Sequence, residues 1–210
     1  QDAVKQYIAD LAAKYDTVGK TRNFTTATGN VVQAEGGGYG WKIDQDAEYN
    51  ALITNIQNAE TVTREPNYSS RAATHDANDW GTTYAEVDLT AQHMYFIQNG
   101  QIAMQCDIVT GNPNKGNATP QGMYSLYYKQ QNQVLRGKKL EDGTYEYESP
   151  VDYWMPFNGG VGIHDLASRG NNFGGDIYKT NGSHGCINTP LEAAKTIYET
   201  VSVGTPVIVY

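Results

Sequence analysis

From Tyr84 onward the chain is built of short runs of alternating apolar and polar residues divided by turn residues, and this pattern limits the fold more than any other feature. Ala85, Val87 and Leu89 share one face of a strand over 84–90, and a second run covers 94–98. Asn99-Gly100 then supplies the pair that a two-residue hairpin favours, because both central positions need positive φ, and it returns the chain into 102–109. Further strand-like runs lie at 122–129, 134–136 and 144–147, and 206–210 closes the chain as a short apolar strand. Helical spacing returns only near the end. Pro190 stands at a first helical position behind Asn188 and Thr189, and Leu191, Ala194, Ile197, Tyr198 and Val201 recur on one face.

The first 83 residues read differently. Val4, Ile8, Leu11 and Tyr15 follow Asp2, an N-cap residue type, at helical spacing, and Gly19 ends the pattern. Residues 24–32 alternate weakly about Thr28-Gly29-Asn30, and 35–43 hold four glycines with Tyr39 and Trp41, which predicts short strands and a glycine turn. Asp44 and Asp46 lead into a second helix through Tyr49, Leu52, Ile53 and Ile56. Residues 65–83 are rich in turn formers and lack periodicity, as an interdomain connection would.

Charge excludes two partner classes. Of the net −8, residues 1–83 contribute 7 Lys/Arg against 11 Asp/Glu and residues 84–210 contribute 8 against 12, so each half is −4. No basic run exceeds Lys138-Lys139, whereas nucleic acids and anionic membranes need clustered cations. No stretch approaches the ~20 apolar residues of a membrane span. The start at Gln1, which leads almost at once into a helix, looks trimmed, with a signal or anchor segment lost ahead of it. The 16 Tyr and 22 Gly against few Lys are a composition associated with extracellular bacterial proteins. Cys106 and Cys186 allow one disulfide or two free thiols.

The densest group of reactive residue types is Ser183-His184-Gly185-Cys186-Ile187-Asn188, in a Gly- and Asn-rich loop before the last helix. A cysteine beside glycine can turn its sulfur and its own N–H to one substrate carbonyl, which suits a thiolate nucleophile with an oxyanion hole. The helix dipole fades within a turn and cannot activate Cys186 from beyond Pro190, so an imidazole must do so. His184 and His164 are the two candidates. In 158–165, Val161 and Ile163 face one side of a strand, and Gly162 and His164 the other, which delivers His164 towards the loop. Asp165 then points away, and a backbone carbonyl is the better orienter of the ring. Other readings stay open at this point: Cys106, in a strand-like run, reads as core; a Cys106–Cys186 bridge is allowed; and His164, Asp165, His184 and Cys186 are acceptable zinc ligands, though without a zinc-binding spacing.

At these residues the chain resembles the L,D-transpeptidases, thiol enzymes of bacterial cell-wall cross-linking with a YkuD domain. Their signature of His, a spacer, and Ser/Thr-His-Gly-Cys, a hydrophobic residue and Asn is met by His164, a 19-residue gap from it to His184, and the run 183–188. Val109-Thr110-Gly111-Asn112 and Thr119-Pro120-Gln121-Gly122-Met123-Tyr124 resemble the family pattern upstream. Residues 1–70, with Gly38-Tyr39-Gly40-Trp41-Lys42-Ile43-Asp44, resemble the C-terminal part of a peptidoglycan-binding domain. The resemblance implies a mainly β catalytic domain over 84–210, a sandwich of mixed sheets with a C-terminal helix. A small α+β domain at 1–70 and a linker at 71–83 would precede it.

It also implies Cys186 as nucleophile and His164 as base. Gly185 and Cys186 N–H groups would hold the oxyanion, Ser183 and His184 would shape the pocket, and Asn188 would fix the loop. Tyr153, Trp154 and Phe157 could line the clefts or belong to the core. The implied substrates are peptidoglycan stem peptides as donor and acceptor, with no cofactor or metal. Expected besides are acylation by carbapenems, a monomer without membrane contact by this segment, and a location outside the cell or in its wall.

Overall fold

The computed structural model describes residues 2–210. It is mostly β, with mixed sheets and a helix near each end. The first part comprises α1 (Asp2–Tyr15), β1 (Arg22–Thr25), β2 (Val31–Ala34), β3 (Lys42–Ile43), α2 (Gln45–Gln57) and β4 (Tyr68–Ser70). Asp2 lies inside α1 as its first described residue rather than ahead of it. The apolar spacing of α1 buries Ile8 and Ala12 against Ile43, and α2 packs beside it. Asp44 caps α2, its carboxylate accepting the Ala47 N–H at 3.0 Å. β1 and β2 form the hairpin predicted around Gly29.

Two sheets make up the rest. β5 (Tyr84–Asp88), β6 (His93–Gln98), β7 (Gln101–Asp107), β8 (Gly122–Ser125) and β13 (Pro206–Val209) form one, in the order β7-β6-β5-β13-β8. β9 (Gln130–Arg136), β10 (Glu148–Asn158), β11 (Val161–Asp165) and β12 (Ile187–Thr189) form the other, in the order β12-β11-β10-β9. Each sheet has one parallel pair, β5 with β13 and β11 with β12, among antiparallel ones. Between them lies the main core, including Met94, Phe96, Ile108, Met155, Phe157, Ile163 and Ile187. The short α3 (Ile177–Asn181) sits in the crossover from β11 to β12, and α4 (Leu191–Thr200) closes the core with Ala194 and Ile197.

Several expectations need correction. Residues 144–147 form no strand; Tyr145 makes an isolated bridge to Lys139 within the β9–β10 loop. The strand is β10 itself, eleven residues long, whose Pro150 and Pro156 lack the N–H that marks a regular ladder. Alternation in 84–90 placed Glu86 outward, yet it is fully buried, because the first part of the chain covers that face of β5. Its carboxylate accepts the Ala27 N–H at 2.9 and 3.0 Å and the Tyr210 hydroxyl at 2.6 Å, while burial pushes its pKa up.

The stretch 71–83 is not a free tether either. Asp79 is buried and receives Arg22 Nε at 2.9 Å and Nη2 at 2.7 Å, and Trp80 packs edge-on to Phe24. Phe24, Ala34, Tyr39 and Trp80 share a cluster with Met123 and Ile208 from the second part. Gly37 passes so close to β8 that a Cβ there would stand 2.0 Å from the Met123 carbonyl oxygen. A common core therefore joins the two parts.

Candidate active site

The antiparallel register of β10 and β11 pairs Trp154 with His164 and Pro156 with Gly162, and these four share one face of the sheet. The opposite face carries Met155 and Ile163 into the core, which is the division of Val161 and Ile163 from Gly162 and His164 expected from the sequence. Gly162 makes room for the indole, since a Cβ there would lie 2.6 Å from the Trp154 ring. On the other edge of β11, the parallel register sets His164 beside Asn188. Cys186 stands one residue ahead of β12, following Gly185 at φ +126°.

The loop that carries Cys186 is held from behind by the two upstream segments. Val109 and Asn188 exchange backbone hydrogen bonds of 3.0 and 2.9 Å, Ser183 N–H reaches the Thr110 carbonyl, and Asn112 N–H the Ser183 carbonyl. Thr119 Oγ1 donates to the Gly185 carbonyl at 2.7 Å and accepts the Gly111 N–H at 2.9 Å. Gly111 must lack a side chain: a Cβ would meet the Asn117 oxygen at 1.8 Å and the Gly185 Cα at 2.9 Å. Those motifs position the loop from its buried side.

A cavity of about 380 Å³ opens in front of the loop, lined by Cys186, His164, Asn188, Trp154, Arg169 and Tyr147 among others. His164 is buried, with Nδ1 2.8 Å from the Asp165 carbonyl oxygen. A carbonyl only accepts, so Nδ1 carries the proton and Nε2 keeps its lone pair. Burial lowers the imidazole pKa and favours this neutral form. The Asp165 carboxylate turns away and accepts the N–H groups of Asp152 and Tyr153, as its place in the strand predicts.

The Cys186 thiol donates to the Gly160 carbonyl at 3.5 Å, and burial pushes its pKa up to about 11 against the opposing Gly162 N–H. Sulfur and imidazole face one cavity without a hydrogen bond to each other. Instead, with the Asn188 amide oriented to satisfy both its ends, its nitrogen donates to His164 Nε2 at 3.2 Å. Its oxygen accepts Arg169 Nε at 2.9 Å and Nη2 at 3.1 Å.

Other site residues fall into place or out of it. Ser183 staples the loop, its hydroxyl donating to the Cys186 carbonyl at 2.6 Å and accepting the Gly185 N–H at 3.0 Å. That engages the Gly185 N–H expected in the oxyanion hole; the Cys186 N–H has no acceptor among the described residues. His184 forms cavity wall and stacks on Tyr147 with ring centroids 4.5 Å apart. Trp154 lines the cavity, but strand alternation sends Tyr153 to the other face, where its ring lies 5.1 Å from Tyr198. Phe157 is core.

Cys106 is partly buried against the main core, and burial raises its thiol to about 12. Both cysteines are free. Among the described residues no three metal-ligating side chains converge. Arg169, Tyr147 and Gly160 were not singled out from sequence; a lone Arg, Tyr or Gly in a loop carries no local signal of the cavity it reaches.

Comparison with known proteins fits this geometry. The family model of the L,D-transpeptidase catalytic domain matches residues 82–209, and that of a peptidoglycan-binding domain matches residues 1–64. A crystal structure of a mutant Enterococcus faecium L,D-transpeptidase is 40% identical, covers 100% of this chain and 82% of its own, and superposes with a TM-score of 0.80. The Ldtfm–avibactam carbamoyl enzyme gives the same identity and TM-score, over 100% and 80%. The separate catalytic domain of the E. faecium enzyme, acylated by ertapenem, is 46% identical over 62% of this chain and 98% of its own, with a TM-score of 0.54. Among curated proteins no match is found. Matched through its whole length, the chain belongs to the L,D-transpeptidase family of enzymes that act on peptidoglycan.

Proposed function

We propose that this chain cross-links peptidoglycan by a two-step acyl transfer through Cys186. The observation that carries the reading is a buried His164, its Nδ1 held by the Asp165 carbonyl, lining the same cavity as the Cys186 thiol. With a pKa of about 11, roughly one thiol in ten thousand is ionised at pH 7, so a base must take the proton as sulfur attacks.

Sulfur bonds to the carbonyl carbon of the third residue, a diamino acid, of a donor stem tetrapeptide while His164 Nε2, released by the Asn188 amide, receives the thiol proton. The Cys186 N–H supports the oxyanion, joined by the Gly185 N–H when the Ser183 hydroxyl turns aside. Collapse breaks the amide bond to the terminal D-Ala, whose leaving amine takes the proton from His164. The side-chain amine of a second stem peptide then attacks the thioester, gives a proton to His164 and releases the thiolate, which is reprotonated. The product joins two third-position residues. We read residues 84–210 as the catalytic unit, 71–83 as the connection and 1–70 as a wall-binding part, with the enzyme acting at the cell wall. Carbapenems, which resemble the donor amide, would acylate the same sulfur.

Mass spectrometry of products from defined stem tetrapeptides tests this. Loss of D-Ala with formation of dimers is expected, together with a carbapenem adduct that disappears in Cys186→Ala and persists in Cys106→Ala. Release of D-Ala with water alone as acceptor would make the chain an L,D-carboxypeptidase. An adduct retained by Cys186→Ala would overturn the nucleophile.

A further inference from the structure

Arg169 ends a short 3₁₀ turn, Ala167–Arg169, in the crossover between β11 and β12. Its guanidinium is half-buried and lines the cavity, yet among the described residues no carboxylate lies within ion-pairing distance of it. All three of its hydrogen bonds go to neutral oxygens. Nη2 reaches the Asn181 carbonyl at 2.8 Å, and Nε and Nη2 both reach the Asn188 side-chain oxygen.

An asparagine amide can present either end to a neighbour, with opposite effects on an imidazole. With the Nδ1–H of His164 already held by the Asp165 carbonyl, the amide end at Nε2 decides which ring form is favoured. An oxygen there would favour imidazolium, because both ring nitrogens would then donate to oxygens. A nitrogen there donates to the Nε2 lone pair and favours the neutral ring. Reversing the amide would also set its NH₂ against the guanidinium, donor against donor. The cation thus selects the amide orientation at one remove from the base.

We propose that Arg169 is a positioning residue: by holding the Asn188 oxygen it turns the amide nitrogen to His164 Nε2, which keeps the imidazole neutral and able to take the Cys186 proton. The surroundings offer few rivals for this role. On the same strand the Asp165 carboxylate is occupied by two backbone N–H groups, and β10 contributes the uncharged Trp154 ring. The loop contributes the Cys186 thiol, and Arg136, across the cavity, is paired with Glu148 at 2.8 Å. The consequence for rate rests on the acyl transfer proposed above, whereas the effect on the imidazole does not.

The test uses the full chain labelled with ¹⁵N. The ring signals of its four histidines are titrated by NMR, with His164 assigned by its loss in His164→Gln. In parallel, the pH profile of acylation by ertapenem is measured. In Arg169→Met the His164 midpoint should rise by about one pH unit, the scale of exchanging one hydrogen-bond partner and losing a nearby cation. The acid limb of acylation should move with it. Arg169→Gln, closer in shape, should shift the midpoint in the same direction. Arg169→Lys, which keeps a cation and a donor, should recover at least half of the shift. A His164 midpoint unmoved in both Met and Gln variants overturns the proposal, even if acylation slows. A shifted midpoint in a protein that ertapenem never acylates supports the role of Arg169 and refutes the function proposed for the site.

Discussion

Thr119→Val removes a single oxygen and nearly preserves shape, and its consequences follow from two hydrogen bonds. The Thr119 hydroxyl, in a residue only 4% exposed, is the partner of the Gly111 N–H and of the Gly185 carbonyl. Each buried backbone group left unpaired costs about 1–3 kcal/mol, so the pair costs about 2–6 kcal/mol where no water enters. For a chain of this size, ~1 kcal/mol corresponds to roughly 2–4 °C in melting temperature, which gives a fall of about 4–24 °C by calorimetry. The Gly185 carbonyl belongs to the residue preceding Cys186, so its release also loosens the thiol, the proposed nucleophile. A displacement near 1 Å is enough to reduce acylation by up to ~10²-fold, measured as the second-order rate of carbapenem adduct formation. Thr119→Ser, which restores the hydroxyl, should recover most of both losses. An unchanged melting temperature together with an unchanged acylation rate in Thr119→Val would refute the reasoning that this hydroxyl supports the loop from behind.

Three further outcomes are expected. His164→Ala should lower acylation by at least ~10²-fold and regain part of it at high pH, where the thiol ionises unaided; His184→Ala, which removes the ring stacked on Tyr147, should show a smaller loss without that recovery. Stability should fall as pH drops below about 6.5, because the unfolded chain binds a proton that the buried His164, with its lowered pKa, takes up only at lower pH; urea midpoints measured from pH 7.5 to 5 should show a shallower decline in His164→Gln. A fragment starting near residue 80 should still be acylated and lose affinity for sacculi. It should also unfold at lower urea than the full chain, since Met123 and Ile208 each lose burial worth about 1.5–3 kcal/mol when Phe24 and Tyr39 are removed.

The sequence alone determined what depends on near neighbours. Asn99-Gly100 turns the β6–β7 hairpin with φ of 51° and 76°, Asp44 caps α2, and period-two alternation separates His164 from the core-facing Ile163. The Ser183–Asn188 motif marked the candidate site loop for the same reason, since its residue types are contiguous. Tertiary structure decided what depends on partners distant in the chain. The register of β11 with β12 brings residues 164 and 188 together across a 24-residue separation, and only then does Arg169 acquire an Asn188 oxygen to hold. Thr119 meets Gly185 66 residues away, and Glu86 is buried because Ala27 and Tyr210 reach it from opposite ends of the chain. The Gly185 N–H, free in any reading of the motif, is engaged once the Ser183 hydroxyl folds over it. Periodicity reports which face of an element is apolar, whereas the choice of partner for a polar atom is made by chain closure, which leaves no repeat in the local sequence.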